Sequence, residues 1–445
     1  MYENEQHCPS KDQVSNYLSG NLCRCTGYRP IFDAAQNEIL TILPERDRSL
    51  ARLRAILLAG QFPTVTVIGK YNHGKSRLLN ELIGDDIFSV ADKRETVTLS
   101  EHLKHNVRWL DAPGLDADVA AIDDQYAQDA MWTEADIRLM IHSVREGEFD
   151  PYELQLFQQF KQDEQQTRRQ SVLVLTQIDQ APDQDVLAHI IDSIKKQAPD
   201  ANIMPVSATR HRQGLVNSKP LLVQRSGIPE LQQTLNGMIE KVSAVRQFEK
   251  NKIFTELKSE ISELQNSTQN QIQQLNTTLQ QQAESFLHDL NQVLDKVRVD
   301  LQPILQISGK DDSLEPDSFA NMYKVTAGKR DRNRIQVAYS RACIEINSHL
   351  VRYGVIGLPD TQKSNVRSLD TVMVAVMGVS VKLRKDLKLI FDEESGRDRL
   401  RREFTHYFEV SADRMQLKNQ LQNLEQRLQL IVQAQQVTET LEGAL

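Results

Sequence analysis

The sequence predicts a doubly wound α/β domain of the P-loop type, followed by an all-α half that contains coiled coil. Three observations predict it. An apolar run, Val65-Thr66-Val67-Ile68, passes through Gly69-Lys70-Tyr71-Asn72-His73-Gly74-Lys75-Ser76 into a helix-like stretch, Arg77-Leu78-Leu79-Asn80-Glu81-Leu82-Ile83. Further continuous apolar runs, such as Ser171-Val172-Leu173-Val174-Leu175, each end in polar residues, as buried parallel strands do. From Phe248 the period changes, and apolar residues recur at steps of three and four.

The first of these observations carries chemistry. In a strand, Gly-rich turn and helix, successive backbone N–H groups point at phosphates and the helix N-terminus adds positive potential. Lys75 would reach the β- and γ-phosphates, and the Ser76 hydroxyl would ligate Mg²⁺. Gly69, Asn72 and Gly74 shape the cradle. His73 would serve as a general base only if it faced the phosphates; the expectation is that it points outward.

Whole-chain properties bound the rest. The 445 residues suffice for about three domains. Lys plus Arg is 53 and Asp plus Glu is 61, a formal charge of −8 that argues against wholesale nucleic-acid coating. Aromatics are only 6%, and Gln is frequent after residue 155, which suits long solvated helices. The start, Met1-Tyr2-Glu3-Asn4-Glu5, is too acidic and polar for a signal peptide, and no run reaches the roughly 18 apolar residues of a membrane span. Four cysteines make no disulfide framework. The expectation is a cytoplasmic protein, with a peripheral position at a membrane left open. The domain boundaries read as 1–58, 59–243 and 244–445.

Residues 18–31 contain Leu22-Cys23-Arg24-Cys25-Thr26-Gly27-Tyr28-Arg29-Pro30. This segment resembles the second cysteine motif of the [2Fe–2S] subunit of xanthine dehydrogenase-type molybdenum hydroxylases. The resemblance implies that Cys23 and Cys25 stand where two cluster thiolates stand in that family. A cluster needs four thiolates, yet no Cys-x-x-Cys exists in the chain and Cys8 stands alone. The segment therefore reads as a fragment without a [2Fe–2S] cluster, the alternative being a cluster or zinc completed across a dimer. Residues 33–58 carry leucines and isoleucines at helical spacing and read as a lead-in packed on the next domain.

Past the P-loop helix, Glu95-Thr96-Val97-Thr98 is where a switch threonine would close over Mg²⁺ and the γ-phosphate. Thr96 is the first choice and Thr98 the second; nothing local separates them. Val107-Arg108-Trp109-Leu110 then runs into Asp111-Ala112-Pro113-Gly114. An Asp-x-x-Gly at a strand end holds Mg²⁺ through water by its Asp, while the amide of its Gly, here Gly114, senses the γ-phosphate.

Base identity rests on two further strand ends. Thr176-Gln177-Ile178-Asp179 resembles the Asn/Thr-Lys-x-Asp guanine signature, whose Asp accepts from guanine N1–H and N2. Adenine offers no such donor pair, so Asp179 selects GTP and GDP. Gln177 departs from the usual Lys, whose stem stacks on the base; Gln still covers the ring, with weaker affinity expected. Ile203-Met204-Pro205-Val206-Ser207-Ala208 matches the loop whose backbone amide meets guanine O6. Ligands of such sheets bind at the strand carboxyl ends.

Over residues 60–243 the chain resembles translation-factor-related GTPases, especially the Era/TrmE-like and bacterial dynamin-like branches. The resemblance implies a G domain that hydrolyses GTP with Mg²⁺. It also places Asn72 where cation-dependent members hold K⁺, so Lys75, Thr96 and Asn72 are the catalytic candidates. Leu115 follows Asp-Ala-Pro-Gly in place of the water-orienting Gln of Ras-like proteins. Slow intrinsic hydrolysis, stimulated by K⁺ or self-association, is the expectation.

In the second half, apolar positions from Ile253 to Leu301 and from Leu417 to Ile431 form two long seams. They read as an antiparallel pair folding back, or as two helices that each dimerise with a second chain. Between them lie three basic clusters, at 329–334, 382–385 and 397–402, and the apolar run 372–379. In dynamin-like proteins a stalk tip of that composition touches membrane, and RNA or ribosomes could engage the clusters through phosphates. The preferred reading is a buried run with charges on its solvated side, and Cys343 as a core residue. The function classes left open are a GTP-driven switch whose helices transmit nucleotide state, a GTP-timed factor on RNA or ribosomes, and an iron–sulfur-linked protein.

Overall fold

The computed structural model describes residues 28–58, 60, 62–88, 100–112, 129–307, 309–316, 323–363 and 370–444. Cys8, Cys23, Cys25, Thr96, Thr98, Gly114 and Leu115 lie outside them. Two compact units form, one running to Ser262 and rejoined by the chain from Leu430, the other spanning Glu263–Gln429.

The first unit holds a six-stranded sheet: β1 (Thr64–Ile68), β2 (Ser100–Lys104), β3 (Val107–Asp111), β4 (Ile137–Ser143), β5 (Gln170–Thr176) and β6 (Ile203–Pro205). Its order is β2-β3-β1-β4-β5-β6, parallel except for the antiparallel β2 edge. Every residue of β1 and β4 is buried, including the polar Thr64, Thr66, Arg138 and His142, so both strands are covered on both faces. Around it lie helices α1 (Tyr28–Ile42), α2 (Asp47–Leu58), α3 (Lys75–Ile83), α4 (Pro151–Thr167), α5 (Gln184–Gln197), α6 (Ala208–Val216), α7 (Pro220–Gln224) and α8 (Ile228–Ile239). The strand period of two sorts side chains between two cores. Ile137, Leu139 and Ile141 join Leu78 and Leu231 in one core, whereas Met140 joins Phe157, Phe160 and Ile194 in the other.

The helix α9 (Val242–Leu305) begins in this unit, and its root is bolted to the sheet. Arg246 and Arg52 both bond Asp136, which also accepts from the Thr64 amide, and Arg52 and Arg169 meet Glu249. Asp136, Arg52 and Glu249 are all buried. Burial alone would push the Asp136 carboxyl up, but Arg52 and Arg246 outweigh it and hold it below its ordinary value. Its contribution is therefore present above the ordinary carboxylate pKa and is lost only as pH falls through the depressed one. Asp136→Ala, which among the described residues leaves Arg246 with backbone carbonyls only and Arg52 with Glu249 as its one carboxylate, is expected to cost about 3–5 kcal/mol of stability. Urea unfolding followed by tryptophan fluorescence checks this; a loss under about 1 kcal/mol would make the network ornamental.

The second unit is all-helical. It contains most of α9 with α10 (Ala327–Arg352), α11 (Val372–Met377), α12 (Arg384–Phe391), α13 (Glu394–Glu409) and the start of α14 (Ala412–Ala444). Its core is built on Phe286, Leu290, Leu294, Ile335, Ile346, Phe391 and Phe404, with Phe286 stacked on Phe408 at 4.3 Å. The run 372–379 supplies Val372, Val376 and Met377 to this core, and the Tyr339 hydroxyl bonds Met377 O at 2.5 Å. Cys343 packs against the same core. The basic clusters are spent internally only in part: Arg384 pairs with Asp331, Arg332 donates to Ser313 O and Glu315 O, and Arg401 pairs with Glu394 and Asp398. Contacts between α9 and α14 run in the antiparallel sense within each unit: Lys258 with Glu442 in the first, Arg414 with Leu279 O in the second. Among the described residues no helix is long and apolar enough to cross a membrane.

Candidate functional site

The carboxyl ends of β1, β3, β4 and β5 and the start of α6 converge on one cleft. Gly69 closes β1 so tightly against β4 that a Cβ there would lie 2.3 Å from Ile141 O. Asn72 (φ 60°) and Gly74 (φ 83°) turn the loop through the left-handed region before α3 starts at Lys75. The Lys75 ammonium donates to Gly69 O at 3.0 Å and Lys70 O at 2.9 Å, lying across the loop it would serve.

The Ser76 hydroxyl donates to Asp111 Oδ2 at 2.5 Å, so the two expected magnesium-site residues are in contact. Asp111 is buried, and its other oxygen has no hydrogen-bond partner among the described residues. Burial pushes its carboxyl up, an effect that the Ser76 hydrogen bond and the Lys75 charge only partly offset. A buried carboxylate with an orphaned oxygen beside a hydroxyl fits a hydrated divalent cation. Mg²⁺ there would be held by Ser76 and, through water, Asp111, and would neutralise phosphate charge.

The guanine-type residues meet the cradle directly. Ser207 Oγ donates to Asp179 Oδ1 at 2.5 Å and Gln180 Nε2 donates to Oδ2 at 2.9 Å. Burial raises the Asp179 carboxyl, but these two hydrogen bonds bring it below its ordinary value, so it is an anion at neutral pH. The same Ser207 hydroxyl caps α6, accepting from Arg210 N, which places Ala208 at the first turn. Thr176 Oγ1 donates to His73 O at 2.6 Å and His142 O at 3.1 Å, stitching β5 to the P-loop and β4. Gln177, itself at φ 60°, donates to Asn72 O at 2.8 Å and accepts from Ser143 Oγ at 2.9 Å. The departure from lysine thus keeps a tether to the P-loop and loses its charge.

One expectation fails. His73 does not point outward; it is 3% exposed, with Nδ1 against Ile141 O at 3.2 Å and its ring edge-on to His142. The positive φ of Asn72 turns the next side chain toward the sheet, which also removes His73 as a general base. Behind it, His142 lies between Glu153 Oε1 (3.0 Å) and Gly147 O (3.1 Å), and Lys70 bridges Asp150 and Glu153. The ligand atoms of His73, His142 and Glu153 fall within 4.8 Å of one another. Hydrogen bonds already engage them, and the trio latches the P-loop to the loop ahead of α4. Ser143, Lys70 and Glu153 escape a sequence reading because each acts through a neighbour distant in the chain. The one available signal is Asp150-Pro151-x-Glu153, a capping box that marks a helix start.

Fold and site together define a P-loop GTPase domain. Residues 64–223 match the family model described as 50S ribosome-binding GTPase, and residues 1–36 match a [2Fe-2S] binding domain. The chain belongs to the same family as the uncharacterized protein ACIAD1443 of Acinetobacter baylyi, which is 52% identical over 414 residues, 93% of this chain and 99% of that one. GTPase Era of Bordetella petrii is 27% identical over 158 residues, covering 34% of this chain and about half, 51%, of Era. The xanthine dehydrogenase of Blastobotrys adeninivorans is 67% identical over 27 residues, 6% of this chain and 2% of that one. The solved structure of an oligomerised bacterial dynamin pair is 14% identical and covers 98% of this chain and 81% of that one. Its TM-score of 0.34 is too loose to bear on function.

Proposed function

We propose that the chain binds GTP and hydrolyses it to GDP and phosphate with Mg²⁺, slowly when alone, and passes the nucleotide state to its helices. The observation that carries this is Asp179, held as an anion by Ser207 and Gln180 in the cleft that Gly74 also lines. Lys75 would neutralise the β- and γ-phosphates, Ser76, Asp111 and Thr96 or Thr98 would hold Mg²⁺, and the Gly114 amide would sense the γ-phosphate. Gly69 and Gly74 let the backbone approach the phosphates; Thr176, Gln177 and Ala208 complete the base side. Leu115 orients no water, so hydrolysis needs charge from outside the loop, and K⁺ beside Asn72 is the source proposed.

Transmission is supported by the base of the sheet. Asp136 joins the starts of β1 and β4 to Arg246 of α9, and those strands end at the P-loop and at Ser143. A shift of either strand therefore reaches the long helix through a buried ion pair. Self-association through the helices is the proposed partner mode. A GTP-timed role on RNA or ribosomes is the second reading, favoured by the ribosome-binding family description; the internal pairing of Arg332, Arg384 and Arg401 takes only part of the basic clusters out of such a surface. The xanthine dehydrogenase-like stretch assigns no iron–sulfur chemistry here, because a cluster needs four thiolates.

Phosphate release is the test, measured in KCl and in NaCl, at rising protein concentration, for wild type and Asn72→Ala. Turnover about ten-fold or more faster in KCl, abolished as a cation effect by Asn72→Ala, is expected. Rates independent of cation and protein concentration alike would sink both forms of stimulation.

A further inference from the structure

We propose that Arg145 is a nucleotide-contacting residue whose guanidinium lies against the purine on the Gln177 side of the cleft. It would restore the positive charge that a lysine at position 177 would have brought. The proposal rests on the guanine-nucleotide reading above and adds to it a residue that no motif marks.

The base cleft has a volume of about 220 Å³, and Arg145 lines it together with Gly74, Gln177 and Asp179. Gln177 is uncharged, and both ends of its amide are spent on Asn72 O and Ser143 Oγ. It cannot swing onto the base without releasing the P-loop. Arg145 is exposed, and among the described residues no carboxylate pairs with it. It stands two residues beyond the same Ser143 that holds Gln177, in the 3-10 turn Val144–Glu146, with its own amide bonded to Ser143 Oγ at 3.2 Å.

The loop presenting it is pinned along its length. Gly147 N bonds Val144 O at 3.3 Å, and Gly147 O faces His142 Nε2 at 3.1 Å. Phe149 N donates to Gln197 Oε1 at 2.9 Å, and Asp150 pairs with Lys70 of the P-loop at 2.5 Å. Arg145 is thus offered to the cleft from a rigid platform, with little backbone entropy left to lose on binding. A guanidinium suits the task because it is planar, weakly hydrated and stacks on aromatic faces, whereas an ammonium acts as a hydrated point charge.

The test is titration of a fluorescent GDP into the full-length protein, for wild type, Arg145→Ala, Arg145→Lys and the double variant Arg145→Ala/Gln177→Lys. Arg145→Ala is expected to weaken binding about ten-fold with an unchanged melting temperature. Arg145→Lys should remain weak, and Gln177→Lys in the Ala background should recover most of the affinity. Arg145→Ala binding within about two-fold of wild type would overturn the assignment, and full recovery by Arg145→Lys would overturn the stacking geometry. A wild type that shows no saturable GDP binding would bring down the guanine reading itself, a result separable from either.

Discussion

Asp179→Asn is expected to exchange guanine for xanthine. In the proposed complex the carboxylate would accept two hydrogen bonds, from N1–H and the exocyclic N2 of guanine, and its anionic state would strengthen both. An asparagine keeps one acceptor and replaces the other with an N–H donor. Ser207 Oγ donates to Oδ1 in the native site, so the oxygen of asparagine stays there and its amide nitrogen takes the Oδ2 side. Gln180, now facing a donor instead of an acceptor, is exposed and free to turn away. Xanthine presents N1–H and a C2 carbonyl, the complement of that arrangement, whereas guanine N2 would meet a donor head-on. GDP affinity should fall by about a hundred-fold or more, since each charged hydrogen bond is worth roughly 1.5–3 kcal/mol, while XDP should bind within about ten-fold of native GDP binding. Competition of GDP and XDP against one fluorescent nucleotide decides it, and continued preference of the variant for GDP would remove Asp179 from base recognition.

Asp111→Asn should separate stability from activity. Asp111 is buried with one oxygen unsatisfied among the described residues, and burial raises its pKa. Deprotonation therefore opposes folding: the contribution of this group is favourable at low pH and is lost as pH rises through its raised value. A neutral asparagine escapes that penalty, and its amide can still meet the Ser76 hydroxyl. In metal-chelating buffer at pH 7.5 the variant should be more stable by about 1–2 kcal/mol, a few degrees in melting temperature, with the gap closing on acidification. Mg²⁺-dependent GTP turnover should fall by about a hundred-fold or more, because the carboxylate proposed to hold the ion's water would be gone. Thermal melts from about pH 3.5, below the ordinary Asp value, up to pH 8 provide the readout. A variant that melts lower than wild type at pH 7.5 would show that the carboxylate is compensated, and its magnesium role would lose its strongest physical support.

Much of the sheet domain is legible in the residues alone. Burial on both faces makes the β1 and β5 segments Val65–Ile68 and Val172–Leu175 read as largely apolar runs, and the P-loop and the Thr176–Asp179 loop sit where they stop; β4, which carries Arg138 and His142, gives no such run. Gly69, Ser76, Asp111, Asp179 and Ser207 are recognisable because backbone-approach and hydrogen-bond requirements constrain residue type at fixed spacing. The N-terminal Cys-x-Cys is equally legible as a stretch resembling a [2Fe-2S] binding domain, which residues 1–36 match. The apolar run 372–379 was harder: at eight residues a core helix and an interfacial patch have the same composition, and only packing against Tyr339 separates them.

Local chain chemistry by itself marked the Gly69–Ser76 loop, the Ser76–Asp111 pair and Asp179, because strand-end motifs are contiguous and their geometry follows from a few dihedral angles. Tertiary structure alone decided the rest. It turned His73 inward and tied Gln177 to Asn72 and Ser143. It also brought Arg145 to the cleft and joined Asp136, Arg52, Arg246 and Glu249 across as many as 197 residues of sequence. Those pairings depend on which helix covers which face of the sheet, and that is set by the packing of many apolar side chains at once, which no local pattern records.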